Sequence, residues 1–284
     1  MRVAMPMRLQ QQVRCCAMLM RGARGSGVVM TVSRRSLLLV CVGVAAGFLS
    51  GLFGIGGGIL IVPGLMYIAK MDARRAHGTS LAAVLPISVA SLLAYGSGGN
   101  VDWAVGLWLA AGAMTGAYIG TALLAVIAKR KLAIVFSILL VVAGVRLFFD
   151  VSGDGRAPLD ALSVVGFVLV GLATGGIAGL LGLGGGIVLV PYMTIIEGIP
   201  SVLAKGTAVA VTVPTAMVGT WRNRVNDNVD VAAALLVGLP GVVVAFAGAW
   251  VATRISDTAS NISFAVLIMI VATRTIRTAL RETN

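Results

Sequence analysis

The sequence predicts an all-α polytopic membrane protein: two inverted-topology repeats of about five apolar segments each, with glycine-broken helices at the repeat interface. Three observations lead there. First, 58% of the 284 residues are hydrophobic and only 11% charged, with a mean hydropathy of +1.01. A soluble domain carries about 25% charged residues, so too few remain to cover a water-facing surface. Second, continuous apolar runs such as 36–55, 132–149 and 161–183 approach the ~20 residues a helix needs to span hydrocarbon. Their continuity, in place of alternation, points to helices and away from a barrel. Third, a shift of 128 residues lays the chain on itself. Gly54, Gly56, Gly57, Gly58, Ile59, Val62 and Pro63 then meet Gly182, Gly184, Gly185, Gly186, Ile187, Val190 and Pro191. The same shift takes Gly78-Thr79 to Gly206-Thr207, Pro86 to Pro214, Asn100-Val101-Asp102 to Asn228-Val229-Asp230, and Arg146 to Arg274. Chance likeness among apolar segments matches Leu and Ala, not Pro, Asn, Asp and Arg, so the unit is duplicated.

Residues 1–33 are Arg-rich and lack acidic residues and a clean apolar period. No apolar core with a cleavage site precedes Ser33, so this stretch reads as a basic, disordered cytoplasmic tail, with Met30 as an alternative start. Residues 34–150 form the first repeat and 160–280 the second, as one integrated membrane domain. The first repeat reads as apolar segments 36–55, 58–69, 77–96, 103–128 and 131–149; the second as 160–183, 186–199, 205–221, 231–252 and 260–279. The second segment of each is too short for a comfortable span.

Charge sets the expected topology. The net charge of +12 reads as a positive-inside signal, not as a nucleic-acid surface. With the N-terminus inside, the inside loops 70–76, 129–131 and 222–230 and the C-terminal tail hold Lys70, Arg74, Arg75, Lys129, Arg130, Lys131, Arg222, Arg224, Arg277 and Arg281. The outside loops 97–102, 150–159, 200–204 and 253–259 hold little beyond Arg156 and Arg254. To keep Lys70, Arg74 and Arg75 inside, the chain must return to its starting side after the first glycine-rich stretch, as two spans or as a re-entrant hairpin. An odd count per unit then inverts the second copy, and both termini are cytoplasmic.

The glycines have three expected uses. Gly43, Gly47 and Gly51 recur every four residues, as do Gly171, Gly175 and Gly179, which lines small residues along one helix face for close packing. Gly56-Gly57-Gly58 and Gly184-Gly185-Gly186 break the helix, which membrane depth tolerates only where protein or a polar cavity covers the backbone. Each break leaves bare amides at the start of the next short helix, an arrangement that attracts anions. Two such ends facing one midplane site is the layout of a secondary transporter. Packing alone is the rival use of the glycines. Neither copy completes a dinucleotide-binding GxGxxG. A serine hydrolase built on Ser50 and His77 finds no strand-to-helix elbow, so no enzymatic activity is expected.

Other polar positions follow the repeat. His77 and Lys205 are equivalent and would hold an anion, carry a coupled proton, or mark the membrane boundary. Thr79 and Thr207 would cap their helices or donate to a substrate. Asn100/Asp102 and Asn228/Asp230 read as helix caps, Pro86 and Pro214 as kinks, and Trp103 and Trp250 as interface anchors. Cys15, Cys16 and Cys41 have no metal-ligand spacing, and neither a metal nor a cofactor is expected.

The doubled glycine motif, the "GTS" of the first unit and the "NVD" before each fourth segment resemble the TauE/SafE family of sulfite and organosulfonate exporters, over about residues 37–280. The resemblance implies a multi-pass protein of the bacterial inner membrane that moves a small sulfur-containing anion such as sulfite, sulfoacetate or thiosulfate. The residues alone reach a small-anion transporter; sulfur comes only from the resemblance. The expected site comprises Gly56, Gly57, Gly58, Gly184, Gly185, Gly186, Thr79, Thr207, His77 and Lys205. The expected partners are the small anion and the lipid bilayer, with room for a homo-oligomer. A non-transporting membrane subunit or assembly factor is the alternative.

Overall fold

A computed structural model describes residues 34–123, 141, 144–145, 160–182 and 184–281. The expected basic tail, most of segment 131–149 and the loop with Arg156 lie outside them. Residues Arg35–Asn284 form one compact unit. Its described helices are α1 (Arg34–Phe53), α2 (Gly58–Tyr67), α3 (Ala73–Ser97), α4 (Trp103–Leu123), α5 (Ala161–Leu181), α6 (Gly186–Ile195), α7 (Ser201–Val225), α8 (Val231–Ala252) and α9 (Asp257–Arg281). No strand occurs among the described residues. The ends of α1 and α5, and both ends of α2 and α6 and of α3 and α7, differ by the same 128 residues. Among the described residues six helices, α1, α3, α4, α5, α7 and α8, are long and apolar enough to cross a membrane.

Local chemistry sets the helix starts. Asp72, Asp160 and Asp230 are the N-caps of α3, α5 and α8, accepting from the amides of Arg75, Ser163 and Ala233, and Asp102 accepts from those of Ala104 and Val105 at the start of α4. These side chains satisfy amides that the helix cannot. The Asp72 cap corrects one expectation: α3 begins at Ala73, so Arg74 and Arg75 are helical and not in a loop. Likewise α7 begins at Ser201 after Pro200 and runs to Val225, placing Arg222 and Arg224 in its last turn. Proline suits a helix entry because its missing N–H would have no partner there.

At ten residues, α2 and α6 rise only about 15 Å, half the hydrocarbon thickness. Each folds back along the helix before it. The Arg35 guanidinium donates to the Ala69 carbonyl at 2.6 Å, joining the end of α2 to the start of α1. Gly64 backs onto Val42, and Gly57 onto Ala46. In the second unit, the rings of Phe167 and Tyr192 meet at right angles, 6.3 Å between centroids. The chain thus returns to where α1 began before Lys70, as the charge pattern requires.

The long helices exchange partners between units. Methyl groups at Gly43, Gly47 and Gly51 of α1 would overlap the carbonyl oxygens of Val237, Gly241 and Ala245 on α8. At Gly171, Gly175 and Gly179 of α5 they would meet those of Leu109, Ala113 and Ala117 on α4. The two lists are related by the 128-residue shift. Backbone-to-backbone contact of this kind needs small residues at every fourth position. At the centre, α3 and α7 lie side by side with their ends reversed. Gly78 abuts Asn223 and Asn228, while Gly206 abuts Tyr95 and Asn100. Around them Ile61, Leu65, Val84, Ile87 and Val237 form one buried cluster, and Ile55, Ile187, Leu189, Val211 and Phe264 another.

Gly47→Ala and Gly175→Ala are therefore expected to lower the folded yield and melting temperature in detergent, by about 1–3 kcal/mol of overpacking or more. Gly96→Ala, where a methyl meets nothing within 4 Å, should be neutral or slightly stabilising. Equal melting temperatures for all three would remove the close seams from the packing account.

Candidate functional site

The breaks between α1 and α2 and between α5 and α6 are built from left-handed backbone. Gly56 and Gly184, equivalent under the repeat, have φ of 76° and 72°, a region that side-chain-bearing residues avoid. Beyond each break, the first rungs of the short helix accept at Gly57 and Gly185. The Gly57 carbonyl takes the amides of Leu60 and Ile61, and the Gly185 carbonyl those of Val188 and Leu189. The amides of Gly58 and Ile59, and of Gly186 and Ile187, lie ahead of those rungs, in the position where a helix N-terminus offers donors.

The two breaks touch each other. A methyl on Gly186 would overlap the Gly54 carbonyl oxygen. One on Gly184 would sit 3.2 Å from the Ile55 carbonyl oxygen and 3.3 Å from the Thr212 methyl. One on Gly56 would lie 3.1 Å from both the Thr212 and Val84 methyls and 3.5 Å from Ser88 Oγ. Val84 and Ser88 belong to the middle of α3, and Thr212 to the middle of α7. Pro86 and Pro214 lie two residues away in the same helices, and each removes one rung of its ladder. Both helices run through their prolines.

The four other expected site residues lie nearer the starts of α3 and α7, where the backbones of His77 and Lys205 abut the first glycine of each break: a methyl on Gly182 would lie 2.8 Å from the His77 carbonyl oxygen, and one on Gly54 2.6 Å from that of Lys205. Val84 is seven residues beyond His77, and Thr212 seven beyond Lys205, about 10 Å along each helix. The His77 ring places Nδ1 2.7 Å from the Leu181 carbonyl oxygen, and Ser80 donates to the Gly182 carbonyl at 2.9 Å. Together they hold the end of α5. Lys205 is fully buried; its ammonium donates to Ser260 on α9 and lies 6.0 Å from the centroid of Phe53, the last residue of α1. Thr79 and Thr207 do not cap their own helices, which begin six residues earlier at Ala73 and Ser201. Instead Thr79 Oγ1 accepts the Asp230 amide and Thr207 Oγ1 the Asp102 amide, each at 2.9 Å. Each threonine thus ties its helix to the turn before the other unit's fourth helix. The exposed Arg75–Asp230 ion pair at 3.2 Å spans the same junction and adds little, ~0–1 kcal/mol. Ser50 faces Ser91 across 3.4 Å.

Ser88 and Thr212 were not singled out by sequence reasoning. Their repeat equivalents are Ala216 and Val84, so a search for positions preserved under the 128-residue shift passes over them. The available signal was a hydroxyl two residues from a mid-segment proline in each central helix.

A multi-pass helical membrane protein with two touching helix breaks under its central helices belongs among the membrane transporters. The comparisons agree. Residues 13–147 and 167–284 match the family model "Sulfite exporter TauE/SafE", and the chain belongs to that family. The match begins at residue 13, so part of the basic stretch set outside the family pattern falls within it. Three similar proteins each carry the name "Probable membrane transporter protein". The one from Xylella fastidiosa (strain 9a5c) is 28% identical over 83% of this chain and 93% of its own length. The one from Haemophilus influenzae is 32% identical over 56% of this chain and 62% of its own length. The Bacillus subtilis protein YunE is 26% identical over 68% and 80%. No solved structure matches the chain.

The structure also separates two glycines that the motif treats alike. Gly57 has φ 73°, and a methyl there would lie 2.6 Å from the Ala46 carbonyl oxygen; Gly185 has φ −58°, and its nearest neighbours would be at 3.7 Å. Gly57→Ala is expected to destabilise by about 1–3 kcal/mol, whereas Gly185→Ala should melt like the wild type. Thermal unfolding of both in detergent checks this, and equal losses would contradict it.

Proposed function

We propose that this protein is a secondary transporter of a small anion, a sulfur oxyanion or organosulfonate of the sulfite, sulfoacetate and thiosulfate class, bound where the two glycine breaks meet near the bilayer midplane. The observation that carries the reading is the convergence of Gly56 and Gly184 between the middles of α3 and α7. Amides at the start of a helix, backed by its dipole, favour negative charge without a cationic side chain. Unwound backbone at membrane depth persists only where protein buries it or a cavity hydrates it, and paired breaks in a duplicated unit are the usual place for a transported ion. The family's description supports sulfur as the element carried. In this reading His77 and Lys205 stand at opposite approaches to the site, and Thr79 and Thr207 brace it.

The inverted repeat belongs to the same proposal. It is supported by the reversed ends of α3 and α7 and by the exchange of partners between α1–α8 and α5–α4. Both termini then face the cytoplasm, in the inner membrane of a bacterial cell. Reporter fusions at residues 98 and 257 are expected to read outside, and fusions at 72 and 226 inside. An outside signal at 72 would sink the inverted arrangement.

Transport is tested directly by flux of sulfite, thiosulfate and a simple sulfonate into proteoliposomes holding the purified full chain. Uptake or release above protein-free vesicles is expected for at least one of them. No flux for any anion, together with a stably co-purifying partner, would replace the transporter with a membrane subunit or assembly factor.

A further inference from the structure

The Ser88 hydroxyl is fully buried and has no hydrogen-bond partner. Its neighbours in the central helices are all satisfied. Ser80 donates to the Gly182 carbonyl, Ser91 pairs with Ser50, and Thr212 and Thr215 donate one turn back to the carbonyls of Ala208 and Val211. That backward bond is the ready option for any hydroxyl in an apolar helix. Ser88 leaves it unused and instead lies beside the glycine break, 3.5 Å from where a Gly56 methyl would be. Among the described residues, the other buried side-chain atoms without a partner are on Ser201, Thr220 and Arg222, in the first turn and last two turns of α7 and not at its middle. A buried hydroxyl with no partner costs free energy, and native structures keep such a group where something else completes it.

We infer that Ser88 is a specificity-determining residue of the anion site, its hydroxyl donating to one oxygen of an oxyanion whose other oxygens face the amides of the two breaks. The inference rests on the transporter reading above and deepens it. The equivalent of Ser88 in the second unit is Ala216, so the hydroxyl comes from one side only and the two halves of the site are chemically unequal. Donors that converge from separate directions favour a ligand with several acceptor oxygens, a sulfite or sulfonate, over a halide of the same charge.

The test uses the purified full chain in detergent, with sulfite, thiosulfate, methanesulfonate and chloride as probes. Because Ser88 has no protein partner, Ser88→Ala should melt at or above the wild-type temperature without anion. Its affinity for the oxyanion that binds the wild type should fall about tenfold or more, the loss of one hydrogen bond to a charged acceptor, with little change toward chloride. Ser88→Cys, which keeps a side chain of similar size but is a weak donor, should lose affinity too. Wild-type affinity in Ser88→Ala would overturn the inference and leave the transporter reading standing. A lower melting temperature or failure to fold in both variants would overturn it as well, by making Ser88 a structural residue. A wild type that binds none of the oxyanions would remove the anion site and this inference together.

Discussion

A backbone amide or carbonyl in hydrocarbon must find its partner within the protein, and the rest of this structure follows from where the chain breaks that rule. The chain leaves the helical ladder twice between apolar helices, after Gly54 and after Gly182, whose own amides still donate to Ser50 and Ala178. Each break is covered by the other and by the middles of α3 and α7, with Gly186 against the Gly54 carbonyl and Gly184 beside the Ile55 carbonyl. Each unit covers part of its own break, with Gly56 against Val84 and Ser88, and the other unit covers the rest. Each copy thus supplies part of the cover for the other's break.

The same dependence recurs farther out. In a membrane the hydrophobic effect does not press helices together, so association rests on close packing and a few interhelical hydrogen bonds. The glycine seams of α1 on α8 and α5 on α4 provide the first, and both join different units. The hydroxyls of Thr79 and Thr207, each taking an amide from the opposite unit, provide the second. The glycine seam of the first helix in each unit is made to the other unit, which joins the two units along their length.

Departures from the repeat carry as much information as its agreements. Where the first unit has His77 against the end of α5, the second has a fully buried Lys205 held by Ser260. A cation inside the membrane is costly unless paired or hydrogen-bonded, and Ser260 lies on α9, whose counterpart falls in segment 131–149. Ser80 and Ser88 face Ala208 and Ala216 across the repeat. The scaffold keeps its symmetry at the glycines of the breaks, at Pro86 and Pro214, and at Asp102 and Asp230, which fix backbone geometry. It loses that symmetry at His77 and Lys205, at Ser80 and Ala208, and at Ser88 and Ala216.

Composition and periodicity alone determined the class of this protein, its duplication, the positions of eight of the described helices to within a few residues, and the return of the chain before Lys70. These are local or near-local consequences: apolar run length, a 128-residue self-match, and a fourfold glycine spacing whose use in close packing is met on α8 and α4. The caps at Asp102 and Asp230 were equally legible, because an N-cap binds amides only two or three residues away, whereas those at Asp72 and Asp160 were not read from the sequence. Tertiary structure decided what lies far apart in sequence. It set Gly56 against Gly184, gave Thr79 to the Asp230 amide in place of its own helix, distinguished Gly57 from Gly185 by the sign of φ, and left Ser88 beside a break with no partner. Sequence pattern does not carry those facts, because each depends on how the packed chain, within and between the two copies, places atoms within a few ångströms of one another.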